Sequence, residues 1–322
     1  MKLKDFYRQA IDIGIKADLR GEEEVKKLLE EEKKKYEKMT DKEKEYFDLD
    51  RLFNPYADSR LLTGDPEKEI KTAIVGIDME VGEILLAYLL NRDLGRPVDL
   101  VIAHHPEGRA LAQLSEVMEL QVDLLIAAGV TPSVAEQLME KRIKEVERRL
   151  LPVNHNRTVD VARLLNLPLI CLHTPADNCV ARYLTDLFEQ KKPERLADVM
   201  EILEGLPEYQ KAKQQGLGPK ILAGSEKSRA GRIYVDMTGG TEGSRDIYEK
   251  QAAAGISTLV GMHFSEEALE KAKKASLNVI VAGHISSDTL GLNILLDRVE
   301  KQTGEKLEII GVSGFERFKH LE

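Results

Sequence analysis

Apolar and polar positions follow two rhythms along this chain. From residue 72 onward, seven short apolar runs recur: TAIVGID (72–78), VDLVIAHH (98–105), LPLICLH (167–173), RIYVDM (232–237), ISTLVGMH (256–263), LNVIVAGH (277–284) and LEIIGV (307–312). Runs of this length, rich in Val, Ile and Leu, fit strands buried on both faces. The segments between them repeat every three to four residues instead. Val180, Tyr183, Leu184, Leu187 and Phe188 make one helical stripe, and Leu292, Leu295, Leu296 and Val299 make another; both read as core. Strands alternating with helices predict βαβ units and a largely parallel sheet. Before about Asp50 the text is helical and charged, with Glu30 and Glu31 each four residues ahead of Lys34 and Lys35, and Thr40 and Glu43 spaced as a capping box. Two or three amphipathic helices with solvated charged faces are predicted there.

The pattern divides the chain into a helical N-terminal extension (1–50), a first α/β lobe (51–190), a helical connection (191–220) marked by Pro193, EGLPEYQ and QQGLGPK, and a second α/β lobe (221–322). The expected fold class is α/β, with two similar lobes of mostly parallel sheet flanked by helices and a site in the crevice between them. Length agrees, since 322 residues suffice for roughly two domains at ~150 residues each. A faint internal echo supports two lobes: VDLVIAHHPEGRALAQLSEV and ISTLVGMHFSEEALEKAKKA share a strand, a terminal His and a following helix. A net charge of -9 without a basic patch argues against nucleic acid and anionic membranes as partners. No signal-peptide pattern and no run approaching the ~18 apolar residues of a membrane span is present. Cys171 and Cys179 are the only cysteines, too few for a disulfide framework, so a soluble, cytoplasmic protein is expected.

Chemistry enters through the histidines. His104, His105, His173, His263 and His284 all end apolar runs, and in open α/β sheets ligands bind beyond the carboxyl ends of the strands. In AHHP, neighbouring side chains on extended backbone diverge and Pro106 favours extended geometry at His105, so each imidazole can serve a different ion. In HTPAD and GHISSD a His and an Asp stand four apart at a strand-to-helix junction, His173 with Asp177 and His284 with Asp288. A single strand-end His is usually hydrogen-bonded structure. Three such loops together point to a metal site. Asp78, also ending a strand, either orients a ligand His from behind or caps the next element. MTGGTEGS (237–244) reads as a tight turn rather than a phosphate cradle, and His155 and His320 have no convergent partners.

DLVIAHHP, HTPAD, VDMTGG and NVIVAGHISSD, in that order, resemble the Ngg-interacting-factor-three-like family, also called GTP cyclohydrolase I type 2-like. The resemblance runs from about residue 58 to 318. It implies a dinuclear metal site with His104, His105, Asp177, His284 and Asp288 as ligands, His173 as a ligand or as support beside them, and a ring-like homo-oligomer, typically a hexamer. Two departures stand out. The family usually has glutamate where this chain has Asp288, and apolar residues where it has Glu107, Gly108 and Arg109, which makes Glu107 and Arg109 candidate substrate contacts. Mixed N/O ligation suits two divalent ions of Zn, Fe, Mn or Co with open positions for water or substrate. The expected activity is hydrolysis of a small nucleotide-like or phosphorylated molecule by metal-bound hydroxide. The alternative is a metal carrier or regulatory metal-binding protein without turnover.

Overall fold

The computed structural model describes residues 1–320. Its strands are β1 (Leu61–Thr63), β2 (Thr72–Gly76), β3 (Leu100–Ala103), β4 (Leu169–Cys171), β5 (Lys220–Ala223), β6 (Ile233–Asp236), β7 (Thr258–Gly261), β8 (Asn278–Val281) and β9 (Glu308–Gly311). Each of the seven apolar runs contains one of them. They form two mostly parallel sheets flanked by helices, of order β1-β4-β3-β2-β9 and β5-β8-β7-β6. In each sheet the first strand in sequence is antiparallel to its neighbour, β1 to β4 and β5 to β8. These two edge strands were not predicted, because three or four residues of mixed polarity carry no strand signal. β2, β3, β4 and β7 are buried along their whole length, as their unbroken apolar runs require.

The sheets repeat one plan. Gly76, Ala103 and Cys171 lie on one rung of the first, and Asp236, Gly261 and Val281 lie on the matching rung of the second. By this register Met262 and His263 stand where the first lobe has His104 and His105. One strand breaks the plan: β9, from the span assigned to the second lobe, pairs with β2 in the first sheet.

The N-terminal segment has two characters. Helix α1 (Leu3–Ala17) is core, with Leu3, Phe6, Tyr7, Ala10, Ile11 and Ile13 buried, whereas α2 (Glu22–Lys38) buries only Val25 and fits the solvated reading. Thr40 and Glu43 do form a capping box. Helix Thr174–Lys191 lies between α1 and helix His284–Thr303. Both approaches depend on glycine. A Cβ on Gly14 would lie 2.7 Å from Pro175 Cβ, and one on Gly291 would lie 2.4 Å from the Ala176 carbonyl oxygen. The apolar stripes fill the same space, with Val180, Leu184, Leu292, Leu295, Leu296 and Val299 all buried. Close packing thus fixes the starts of the two helices that carry HTPAD and GHISSD.

Candidate metal centre

The three loops meet. His104 and His105 follow β3, Asp177 lies in the first turn of helix Thr174–Lys191, and His284 opens helix His284–Thr303 with Asp288 one turn on. Asp288 is at the middle and is fully buried. Its Oδ1 is 3.4 Å from His104 Nε2, and its Oδ2 is 3.5 Å from both His105 Nε2 and His284 Nε2. Asp177 is 3.4 Å from His104 Nε2 through Oδ1 and 3.7 Å from His173 Nε2 through Oδ2. Three sets present ligand atoms within 4.8 Å of one another: His104, His105 and His173; His105, His284 and Asp288; His104, Asp177 and Asp288.

Polar bookkeeping shows what these groups fit. His104 Nδ1 and Nε2, Asp177 Oδ1 and both carboxylate oxygens of Asp288 are buried without a hydrogen-bond partner. Each such atom costs ~1–3 kcal/mol, and here His104 Nε2, Asp177 Oδ1 and the Asp288 oxygens face one another, where a cation satisfies them. Burial favours neutral His104, but Asp288 and Asp177 prevail and raise its imidazole to about 10. Burial likewise opposes ionisation of Asp288, yet His104, His105 and His284 hold it well below the usual carboxylate range. An anionic nest of this kind, with imidazoles as the other donors, can hold a divalent metal ion.

The sequence matches no family model and no curated protein. Solved structures do match. A NIF3 superfamily protein from Sphaerobacter thermophilus is 29% identical, with a TM-score of 0.68, over 80% of this chain and 91% of that one. The chain is similar in sequence and fold to NIF3 superfamily proteins. Reduced HcgD from Methanocaldococcus jannaschii shares the fold at 17% identity and a TM-score of 0.50, covering 78% of this chain and 87% of that one.

In this NIF3-like chain the ligand rings are held from behind. His105 Nδ1 is 2.6 Å from Asp78 Oδ1, and His173 Nδ1 is 2.8 Å from Asp58 Oδ2. Each contact turns Nε2 towards the cluster and fixes the tautomer. Asp58 also accepts hydrogen bonds from the Thr174 and Ser59 hydroxyls, and the Ser59 hydroxyl oxygen accepts the His173 amide. Sequence reasoning missed Asp58, since NPYADS looked like a turn and nothing local ties it to His173, 115 residues away.

The remaining candidates are spread around the centre. Arg109 is engaged with Asp48 and Asp50, at 3.2 and 3.0 Å, and so ties down the segment before β1. Glu107 caps helix Gly108–Ala112, and its partly buried carboxyl is pushed up to about 7 by burial. Neither lines the cavity that opens beside the cluster, whose walls include His173, Asp177 and His284 together with Asp236, Thr238, Thr241, Glu242, Tyr248 and His263. His263, at the position of His105, has its ring centroid 4.9 Å from that of His284. Cys171 and Cys179 are buried and unpaired. His320 contacts Glu208 at 2.7 Å, well apart from the cluster's ligand sets. Among the described residues no helix is long and apolar enough to cross a membrane.

Proposed function

We propose that His104, His105, Asp177, His284 and Asp288 would hold two divalent ions, and that the protein is a metal-dependent hydrolase of a small molecule. The observation that carries this reading is the central placement of Asp288. One of its oxygens faces His104, beside Asp177, and the other faces His105 and His284, a division suited to a bridging carboxylate. His173 stands by Asp177 as a further donor. When bound, such ions supply Lewis acidity and a water of lowered pKa. The chain's own residues do the rest. Asp58 and Asp78 orient two of the rings, and burial of His104, Asp177 and Asp288 excludes water from one side. The side chains of His105 and His284 keep 27% and 40% of their surface, so substrate enters there.

The resemblance suggests a nucleotide-like or phosphorylated substrate, which sets the assay panel. The test is metal analysis of the purified protein beside His105→Ala and Asp288→Ala, with hydrolysis assays on nucleotides, phosphoesters and cyclic C–N compounds. The expected result is about two ions per chain, fewer in both variants, and turnover that depends on them. Equal, substoichiometric metal in all three proteins overturns the metal reading. Full, readily exchanged metal without any turnover favours the carrier.

A ring-like homo-oligomer, hexameric as the resemblance implies, belongs to the same proposal. Helix Val81–Asp93 buries Ile84, Ala87 and Leu90, yet Leu85, Leu86 and Leu89 on its other side are 39–44% exposed. A helix apolar on both sides calls for cover on both, and a second copy of the chain is the occupant that the ring supplies.

A further inference from the structure

The cavity beside the cluster is walled by carboxylates and imidazoles. It measures about 60 Å³, against the ~10–15 Å³ that one water needs, so it takes a group of a few heavy atoms. Asp177, Asp236 and Glu242 border it, and no Lys or Arg does. Donors on its walls are largely committed elsewhere. Gln121 Nε2 gives both hydrogens to carbonyls of the glycine turn, Gly239 and Thr241, each at 2.7 Å. The Thr238 hydroxyl donates to Asn178 Oδ1 at 2.6 Å. Glu242 is occupied by the Ser265 amide and by Arg245. Asp236 differs, since no hydrogen bond reaches its carboxylate among the described residues, and it borders this cavity as well as a smaller one beside Gln251. It also stands on the rung where the first lobe has Gly76. The metal-bearing rim of one lobe is therefore matched in the other by a rim with an acceptor. Asp236 and His263 join none of the close ligand sets, although the His263 ring lies against His284.

We infer that this cavity seats the N–H-donating end of the substrate, an amidine- or guanidine-type group, with the Asp236 carboxylate as its paired acceptor. Two parallel N–H donors match a carboxylate edge, and charge assistance strengthens both bonds. The flat faces of Tyr248 and Phe264 and the thioethers of Met237 and Met262, all on the wall, suit a planar group. Asp177, Asp236 and Glu242 on the same wall favour a cationic group over an anionic one. This inference rests on the hydrolase reading for the word substrate, but its test does not.

The probe is methylguanidinium, which cannot ligate a metal through a lone pair at neutral pH. It is titrated into the full chain by ligand-observed NMR, with and without chelator, beside inorganic phosphate, for wild type and Asp236→Asn. Wild type binds it with or without metal, and Asp236→Asn weakens binding by about tenfold or more, as loss of a charge-assisted pair requires, while metal content stays unchanged. Unchanged binding in Asp236→Asn, no binding to wild type, metal loss in the variant, or phosphate in the cavity instead each overturns the inference. Should Asp236→Asn not fold, wild-type crystals soaked in methylguanidinium decide: the ligand lies against Asp236 or the inference fails. Failure of the metal analysis with intact probe binding would count against the hydrolase alone.

Discussion

Asp288 concentrates the chemistry in one side chain. It contacts three histidines, is fully buried, and has no hydrogen-bond partner of its own. Asp288→Ala is therefore expected to remove metal from the protein, read as a fall in metal content beside a melting curve taken with chelator. The family's usual glutamate does not fit here for free: one extra methylene at a fully buried position costs ~1–3 kcal/mol. Asp288→Glu should lower both the melting temperature and metal retention, and a variant as stable as wild type would show that the pocket accommodates either residue. Behind the ligands, Asp58→Asn keeps the shape but weakens the hold on His173 Nδ1. Loss of a supporting carboxylate typically costs 10–100-fold in metal affinity, and competition with a coloured chelator measures it. The ligand residues were legible because His and Asp at strand ends are uncommon and chemically specific. Asp58 was not, because its role exists only once β1 has returned the chain beside β4.

The helices show what spacing reveals and what it hides. Interior strands were legible as apolar runs, since burial on both faces removes any need for alternation. β1 and β5 were not, since their identity comes from the neighbour they pair with. The N-terminal helices were legible, but the depth to which α1 is buried was not. Leu3, Phe6, Tyr7, Ala10 and Ile11 carry an i, i+3, i+4 stripe, but the dense charge that follows gave the whole segment a solvated look. Exposed ion pairs such as Glu30 with Lys33 are worth at most ~1 kcal/mol, so replacing charges on α2 should hardly change stability, while deleting α1 should prevent folding. Gly291 carries the sharper prediction. Alanine favours a helix over glycine by ~1 kcal/mol, but its Cβ would press on the Ala176 carbonyl, one residue from Asp177. Steric conflict of ~1–3 kcal/mol outweighs the propensity, so Gly291→Ala should lower the melting temperature and metal affinity together, read by calorimetry with and without metal.

At the level of the molecule, assembly and unfolding can be tested separately from chemistry. Leu86→Glu places a charge in the exposed leucine row and should reduce the particle mass in light scattering while leaving metal content intact; an unchanged mass moves the interface elsewhere. Metal held at ~100 times its dissociation constant stabilises the fold by about 2.7 kcal/mol, so chelation should lower the melting temperature by several degrees. The return of β9 to the first sheet has a different consequence. Met1's amino group is paired with Glu305, and Glu308–Gly311 lies along β2, so a strand made more than 200 residues after β2 completes the sheet that β2 begins. The two lobes also share one core, in which Val75 and Ile102 of the first cluster with Val260 and Ile280 of the second. The two should then melt as a single cooperative unit, with calorimetric and van't Hoff enthalpies in agreement, and a nascent chain halted before residue 308 should remain protease-sensitive along β2.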